Sequence, residues 1–225
     1  MSEAGERAEL IRRARELGVE LTDGEASALL RLLDELARWS RAYNLTAIRR
    51  RADMLTRHVL DSLSISADLE GPAVADVGTG AGFPGLPLAV ANPGRTFTLI
   101  DSSGKKARFV EHAARILGLE NVTVAHARIE ALRPAIPFDT VVARAFASLP
   151  DLLAAIESLA GPGTRVLAMK GRIPADELAA VAPPWRIAHV RPLAVPGLEE
   201  ARHLIVLERS DRYPAGPGEP ILAAP

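Results

Sequence analysis

Residues 76–85 read Asp-Val-Gly-Thr-Gly-Ala-Gly-Phe-Pro-Gly, between a short apolar run and a helix-forming one. Glycines there let the backbone turn sharply and let a ligand approach the main chain closely. The helix that follows offers free N–H groups and the positive end of its dipole. Gly78, Gly80 and Gly82 are spaced G-x-G-x-G, with Asp76 two residues ahead. A dinucleotide loop places its third glycine one residue later, where this chain has Phe83. No Lys-Ser/Thr pair follows, which excludes a P-loop. The next apolar run ends in Asp101, 23 residues after Gly78. A carboxylate at that point accepts hydrogen bonds from ribose hydroxyls. Alone it could merely cap a helix starting near Ser103; with the glycine loop upstream, the ribose role is preferred.

Charge is the second resource. The 225 residues carry 27 basic and 28 acidic side chains, net −1. That balance argues against a uniformly basic nucleic-acid binder but leaves room for a local basic patch. Residues 1–37 hold five Arg against nine acids, whereas residues 38–58 hold six Arg against Asp53 alone. Arg49, Arg50 and Arg51 are consecutive. A solvated helix end accounts for most such clusters. The sharper alternative is a phosphate-contacting face, because clustered guanidinium groups displace counterions from nucleic acid.

Only three of the 27 basic residues are Lys: Lys105, Lys106 and Lys170. All three fall at strand ends or in the loops after them, which hints at a need for a compact ammonium. Cysteine is absent, which removes disulfides, Cys-ligated metals and a thiolate nucleophile. The histidines have no ligand-like spacing, so no metal is expected. No stretch reaches the roughly 20 apolar residues of a membrane span. The N-terminus has no apolar signal-peptide core, and a soluble cytoplasmic protein is expected.

The elements that must position these residues are legible as periodicity. Residues 9–17 carry apolar positions at helical spacing. Thr22 and Glu25 form a capping-box pattern ahead of the stripe Leu29, Leu30, Leu33 and Leu36. A further helix is expected over 52–66. From residue 73 the texture changes. Strands are expected at 73–77, 96–100, 122–125, 139–142, 165–168, 186–190 and 203–207. The first five are near-continuously apolar, as buried parallel strands are. Helices over 86–91, 105–117 and 149–159 alternate with them, which implies a doubly wound α/β sheet. The last two strands, joined by a loop alone, fit an antiparallel pair at one edge. The expected division is a helical region 1–70, an α/β domain 71–210 and a Pro-rich tail 211–225.

An acidic residue before G-x-G-x-G and a carboxylate closing the second strand resemble class I S-adenosylmethionine-dependent methyltransferases. Their fold is a Rossmann-like, mostly parallel seven-stranded sheet. Six segments narrow the likeness: Tyr43–Ile48, Arg57–Leu63, Val77–Leu88, Asp101–Lys106, Ala143–Ala145 and Met169–Gly171. In that order they resemble the glucose-inhibited division protein B (RsmG) family of small-subunit ribosomal RNA guanine-N7 methyltransferases. The resemblance covers roughly residues 25–209.

The resemblance implies S-adenosylmethionine contacts at Gly78, Phe83, Ile129, Glu130 and Arg144, beside Gly80, Gly82 and Asp101 from the glycine loop and the second strand. It draws attention to His58 and Asp61, which lie three apart on one helical face beside Arg57 and could otherwise be a helix-surface pair. Asn44 could cap the turn after its helix or contact substrate, and Glu130 could merely complement a helix N-terminus. Substrate contacts are expected from Arg144, Lys170, Asn44, His58, Arg49, Arg50 and Arg51. Arg144 could pair with the methionine carboxylate, orient the base or hold a phosphate. Its plain alternative is a buried pair with a carboxylate such as Asp76.

The chain lacks the Asn/Asp-Pro-Pro-aromatic motif of amino-directed methyltransferases, and without a thiol the covalent route to pyrimidine C5 is closed. Guanine N7 has a lone pair and no proton, so no acid–base dyad is needed and positioning should dominate. The expected partner is small-subunit ribosomal RNA, within a subunit or an assembly intermediate, bound by a monomer. The competing classes are a cofactor-fold RNA-binding or ribosome-assembly module without activity and a nicotinamide oxidoreductase. The intact glycine loop and Asp101 argue against the first. Phe83 argues against the second.

Overall fold

The computed structural model describes residues 2–210. The expected tail, 211–225, lies outside the described residues. Helix α1 spans Glu3–Glu16, six residues earlier than its apolar pattern suggests, because Ser2 caps it by accepting from the Gly5 N–H. Helix α2 spans Asp23–Tyr43 and starts with the expected capping box: Thr22 accepts from the Glu25 N–H, and the Glu25 carboxylate accepts from the Thr22 N–H. Asn44 ends it in the left-handed conformation, φ 49°, a role its short polar side chain suits.

The helix expected over 52–66 is a composite. Helix α3, Arg51–Met54, runs into a π-helical segment, Leu55–Leu60, and then into α4, Asp61–Leu63. Such wider turns are rare and recur at functional sites.

The sheet contains β1 Ala73–Val77, β2 Thr96–Asp101, β3 Val122–His126, β4 Thr140–Arg144, β5 Arg165–Lys170, β6 Trp185–Pro192 and β7 His203–Arg209. Their order is β3-β2-β1-β4-β5-β7-β6. Neighbours from β3 to β5 run parallel, and β7 lies antiparallel to both β5 and β6. The expected antiparallel pair is therefore present, and β7 is inserted between β5 and β6. β4 starts one residue later than expected, and the Asp139 carboxylate just ahead of it accepts from the Ala73 N–H at 2.8 Å. β3 departs from the expectation of a buried strand. It is the sheet edge, and none of its residues is fully buried. The remaining helices are α5 Gly85–Ala91, α6 Gly104–Leu117, α7 Leu149–Ala155 and a short α8, Ala175–Ala179, that the sequence pattern does not announce. α7 stops four residues short of its expected end, at the cap Ile156.

Two apolar layers hold the sheet. On one face Leu10, Leu29, Leu33, Leu36, Val59 and Leu60 pack with Val74, Phe97, Leu99 and Phe109. On the other, Val77, Val141, Ile156 and Leu159 pack with Trp185 and Leu207. The N-terminal helices thus share one continuous core with the sheet. Arg13 of α1 adds a polar tie, donating to the Thr56 hydroxyl at 2.9 Å and to the Pro196 carbonyl. After β1 the chain fills one side of the sheet with β2 and β3, then crosses to β4 on the other. Open α/β sheets bind ligands at the carboxyl ends of strands flanking such a switch, here β1 and β4.

Candidate active site

The glycine loop leaves β1 at that switch point. Gly78, Gly80 and Gly82 all have positive φ, at 67°, 63° and 83°. Their surroundings differ. A methyl group on Gly78 would meet no heavy atom within 4 Å, whereas one on Gly82 would lie 2.3 Å from Leu86 Cδ1. Gly78 therefore presents open space, and Gly82 is a packing glycine beneath the loop. Asp76 anchors the loop from below: its Oδ2 accepts from the Thr79 hydroxyl at 2.6 Å and from the Gly85 N–H at 2.8 Å. Its Oδ1 is buried with no partner among the described residues. Burial raises the Asp76 pKa to about 6, against the lowering effect of those hydrogen bonds.

Asp101 closes β2 and is buried. One carboxylate oxygen accepts from the Gly80 N–H at 2.9 Å, the other from the Ser103 N–H at 2.8 Å. Asp101 therefore braces both the glycine loop and the start of α6, yet it still lines a cleft. Two carboxylate oxygens offer about four acceptor sites, so capacity for two hydroxyls remains. The cleft has a volume of about 290 Å³ and includes Gly78, Asp101, Ile129, Glu130 and Phe146. Lys106 reaches the Asp101 carboxylate at 3.7 Å. Glu130 sits exposed in a short turn, Ile129–Ala131, after β3.

A second cleft of about 470 Å³ adjoins the first across residues 144–146. It is lined by Arg57, His58, Asp61, Arg144, Lys170 and Arg202, with apolar patches from Ile48 and Met169. Asp61 is buried at its floor. Its Oδ2 lies 3.2 Å from Arg144 Nη1, and its Oδ1 lies 3.4 Å from Arg202 Nε. Burial raises the Asp61 pKa, and the two guanidinium groups oppose that rise. Arg144 also donates to the Arg57 carbonyl, in the π-helical segment, at 3.1 Å. The buried carboxylate pair considered for Arg144 thus exists, with Asp61 as the partner in place of Asp76.

The Arg144 guanidinium lies 5.7 Å from the Phe83 ring centre. The His58 ring stacks on Phe83 at 4.7 Å. His58 Nε2 meets the Thr46 hydroxyl at 2.9 Å, while its buried Nδ1 has no partner among the described residues. Burial, reinforced by Arg144, lowers the His58 pKa to about 4, so this ring is neutral near pH 7. Lys170 extends along the wall toward Glu177 at 3.0 Å and the Phe146 carbonyl at 3.2 Å.

The other expected residues separate. Arg49 is exposed and donates to Asn44 Oδ1 at 3.2 Å, and exposed Arg50 lies 3.8 Å from Asp53. Arg51 turns inward. It meets Glu6 at 2.8 Å, Asp34, and the Leu30 carbonyl at 3.1 Å, which ties α1, α2 and α3 together. The three consecutive arginines do not form one face.

Sequence reasoning misses Arg202, which lies in the loop before β7 where no local pattern marks it. The antiparallel register Lys170↔His203 delivers it to the carboxyl end of β5. Ala145 escapes sequence reasoning as well: it adopts φ 57°, an uncommon conformation for a residue other than glycine, at the junction of the two clefts.

A family model described as rRNA small subunit methyltransferase G matches residues 25–205. The chain belongs to the GidB family. A GidB relative from Nitrosococcus oceani, Ribosomal RNA small subunit methyltransferase G, is 49% identical over 85% of this chain and 89% of its own. One of the same name from Alkalilimnicola ehrlichii is 52% identical over 84% of this chain and 86% of its own. Among solved structures, magnesium protoporphyrin IX methyltransferase from Synechocystis superposes with TM-score 0.56 at 21% identity, over 78% of this chain and 91% of that one. TrmN from Thermus thermophilus gives 0.53 at 22% identity, over 69% and 53%. This GidB chain therefore has the class I S-adenosylmethionine-dependent methyltransferase fold, and neither an inactive assembly module nor an oxidoreductase is favoured.

Proposed function

We propose that this protein methylates N7 of a guanine in small-subunit (16S) ribosomal RNA, with S-adenosylmethionine as donor. The observation that carries this reading is the junction of two unlike clefts at the β1/β4 switch point of a GidB-family chain. One pairs a carboxylate with apolar residues, Asp101 beside Ile129 and Phe146. The other is cationic, with Arg57, Arg144, Lys170 and Arg202 against Asp61.

The first cleft fits the cofactor. Open space at Gly78 admits a ligand against the main chain. Asp101 has unused lone pairs for ribose hydroxyls. Ile129 and Phe146 offer apolar walls for adenine, with Glu130 at the rim. Gly80 is held by Asp101, and the buried Gly82 and Phe83 support the loop from beneath. Arg144, at the junction, can reach toward either ligand.

The second cleft then receives the guanosine. When bound, S-adenosylmethionine supplies an electrophilic methyl carbon, whose bond to sulfur breaks as the N7 lone pair forms the new bond. No proton leaves N7, so the chain's residues have only to place the base and stabilise charge. Neutral His58, stacked on Phe83 and held at Nε2 by the Thr46 hydroxyl, stiffens the wall of this cleft. Arg144, Arg202 and Lys170 oppose the phosphate charge that enters with the RNA. Arg49 and Arg50 extend this field outward, Asn44 holds Arg49, and Arg51 acts through the helical framework.

No helix among the described residues is long and apolar enough to cross a membrane. The reading extends to a cytoplasmic monomer acting on a ribosomal subunit or an assembly intermediate. The test is incubation with labelled S-adenosylmethionine and small subunits lacking the modification, followed by mapping of the labelled nucleotide. Label at a single guanine N7 supports the reading, and RNA without label overturns it. Naked RNA run in parallel identifies the preferred form of substrate.

A further inference from the structure

The seam between α2 and α6, on the flank of the molecule beside the site, has features that the methyl-transfer site does not use. Lys105, Arg108, His112 and Arg115 recur at steps of three and four, which places them on one stripe of α6. Lys105, Arg108 and Arg115 are exposed. Among the described residues, Lys105 and Arg108 make no ion pair, and Arg115 meets only His112 Nδ1, at 3.3 Å. Most arginines of α1 and α3 are instead matched to carboxylates, as in Arg12 with Glu9 and Arg51 with Glu6. Among the described residues, three cations of α6 are thus left without a carboxylate partner on one stripe. Glu35 is taken up by His112 and Arg38, both at 2.8 Å. Glu111 is the lone acid of α6.

The seam also carries an aromatic ladder. Phe109 is in the core, Trp39 meets it edge-on at 5.6 Å, and Tyr43 lies against Trp39 at 5.5 Å. Tyr43 is 44% exposed. The helices run antiparallel, since Glu35 meets His112 while Trp39 meets Phe109. The next turn of α2 therefore carries Tyr43 toward the first turn of α6, which follows Asp101. Tyr43 also precedes the segment whose Ile48 lines the substrate cleft.

We infer that the α2–α6 flank is an RNA-docking surface, on which Lys105, Arg108 and Arg115 hold backbone phosphates and Tyr43 stacks on an unpaired base. Exposed cations beside a ring anchored in the core match how single-stranded or irregular RNA is bound. The surface would hold the rRNA beyond the target guanine, so the inference rests on the proposed substrate class.

The experiment is fluorescence anisotropy of the full chain with fluorescein-labelled small-subunit rRNA fragments across a salt series. Arg108→Ala/Arg115→Ala should flatten the dependence of log K on log salt by about 0.7 for each phosphate no longer neutralised. Tyr43→Ala should weaken binding about tenfold, and Tyr43→Phe should restore it. Thermal melting and S-adenosylmethionine binding should be unchanged in each variant, and Arg12→Ala on α1 should bind RNA as the parent does. In methyl-transfer assays the variants should raise KM for RNA and leave kcat intact. RNA binding by the seam variants equal to that of the parent overturns the inference, including the case where the flank serves a protein partner. That failure stays distinct from failure of the proposed reaction, which is read from methylation by the unmodified protein.

Discussion

Arg144 and Asp61, on β4 and on the helix that follows the π-helical turn, meet at 3.2 Å at the floor of the substrate cleft. Arg202 reaches the other oxygen of the same carboxylate at 3.4 Å. One buried anion thus fixes two guanidinium groups from separate strand ends, Arg144 closing β4 and Arg202 just ahead of β7. Asp61→Ala should cost about 3 kcal/mol of stability, because it leaves partly buried cations unmatched. It should also lower methyl transfer by releasing both side chains. An unchanged urea midpoint together with an unchanged transfer rate would refute this role.

The two glycines of the loop should respond differently to the same change. Gly78→Ala meets no atom and incurs only the left-handed backbone cost, about 1–2 kcal/mol. It should weaken S-adenosylmethionine binding more than it destabilises the fold. Gly82→Ala adds a collision with Leu86 to a φ of 83°. It should lose clearly more stability than Gly78→Ala. Thermal melts paired with calorimetric titration of the cofactor separate the two, and the reverse ranking would contradict the geometry.

His58 and Asp76 make opposing contributions to pH dependence. The His58 pKa falls to about 4 in the fold from its ordinary value of 6.5. The unfolded chain therefore takes up the proton first, and stability is lost as pH falls from about 6.5 toward 4. The Asp76 pKa rises from 3.8 to about 6. The folded state holds that proton more tightly, so stability is lost as pH rises from about 4 toward 6. Each shift corresponds to about 3 kcal/mol, and across this window the two largely offset one another. His58→Gln should remove the first and make the protein relatively more stable near pH 4.5 than the parent is. Denaturant unfolding at about pH 4.5 and 7 reads the difference, and parallel profiles for the two proteins would count against it.

Adjacent arginines should separate in function. Arg51→Ala removes the bonds to Glu6, Asp34 and Leu30. A loss of about 2 kcal/mol is expected for charge-assisted hydrogen bonds of this kind, with little change in the salt dependence of RNA binding. Arg50→Ala should leave the melting temperature in place and reduce that salt dependence. Identical behaviour of the two variants would mean that Arg51 is not a helical staple.

Much of this architecture is local in origin, and so it is legible along the chain. Apolar runs and helical stripes mark the parallel strands, α2 and α6. The Thr22/Glu25 capping box joins residues three apart, which local sequence determines. Local patterning also misleads in identifiable places. Val122–Ala125 reads as buried, but the strand order makes it an edge. Residues 52–66 read as an ordinary helix, but the middle turn widens where Arg144 meets the Arg57 carbonyl. Arg49 to Arg51 read as one cluster, but Arg49 and Arg50 precede α3 and stay exposed, whereas Arg51 opens the helix and turns in against Glu6 and the Leu30 carbonyl.

By itself the sequence determined the glycine loop, the carboxylate that ends β2, the cationic residue that ends β4 and the mostly parallel sheet that holds them. Each of these depends on conformational preference or apolar periodicity within a few residues. Only the tertiary structure decided that Arg144 is tied to Asp61, that Arg202 joins them, and that Arg51 serves the helices. It alone packed Trp39, with Tyr43 against it, on Phe109 and His112 of α6. Those pairings join residues far apart in the chain, and insertion of β7 beside β5 and packing of α2 on α6 bring them within reach. An ion pair or a ring stack acts over a few ångströms, and the spacing along a chain does not encode that distance until the core has closed.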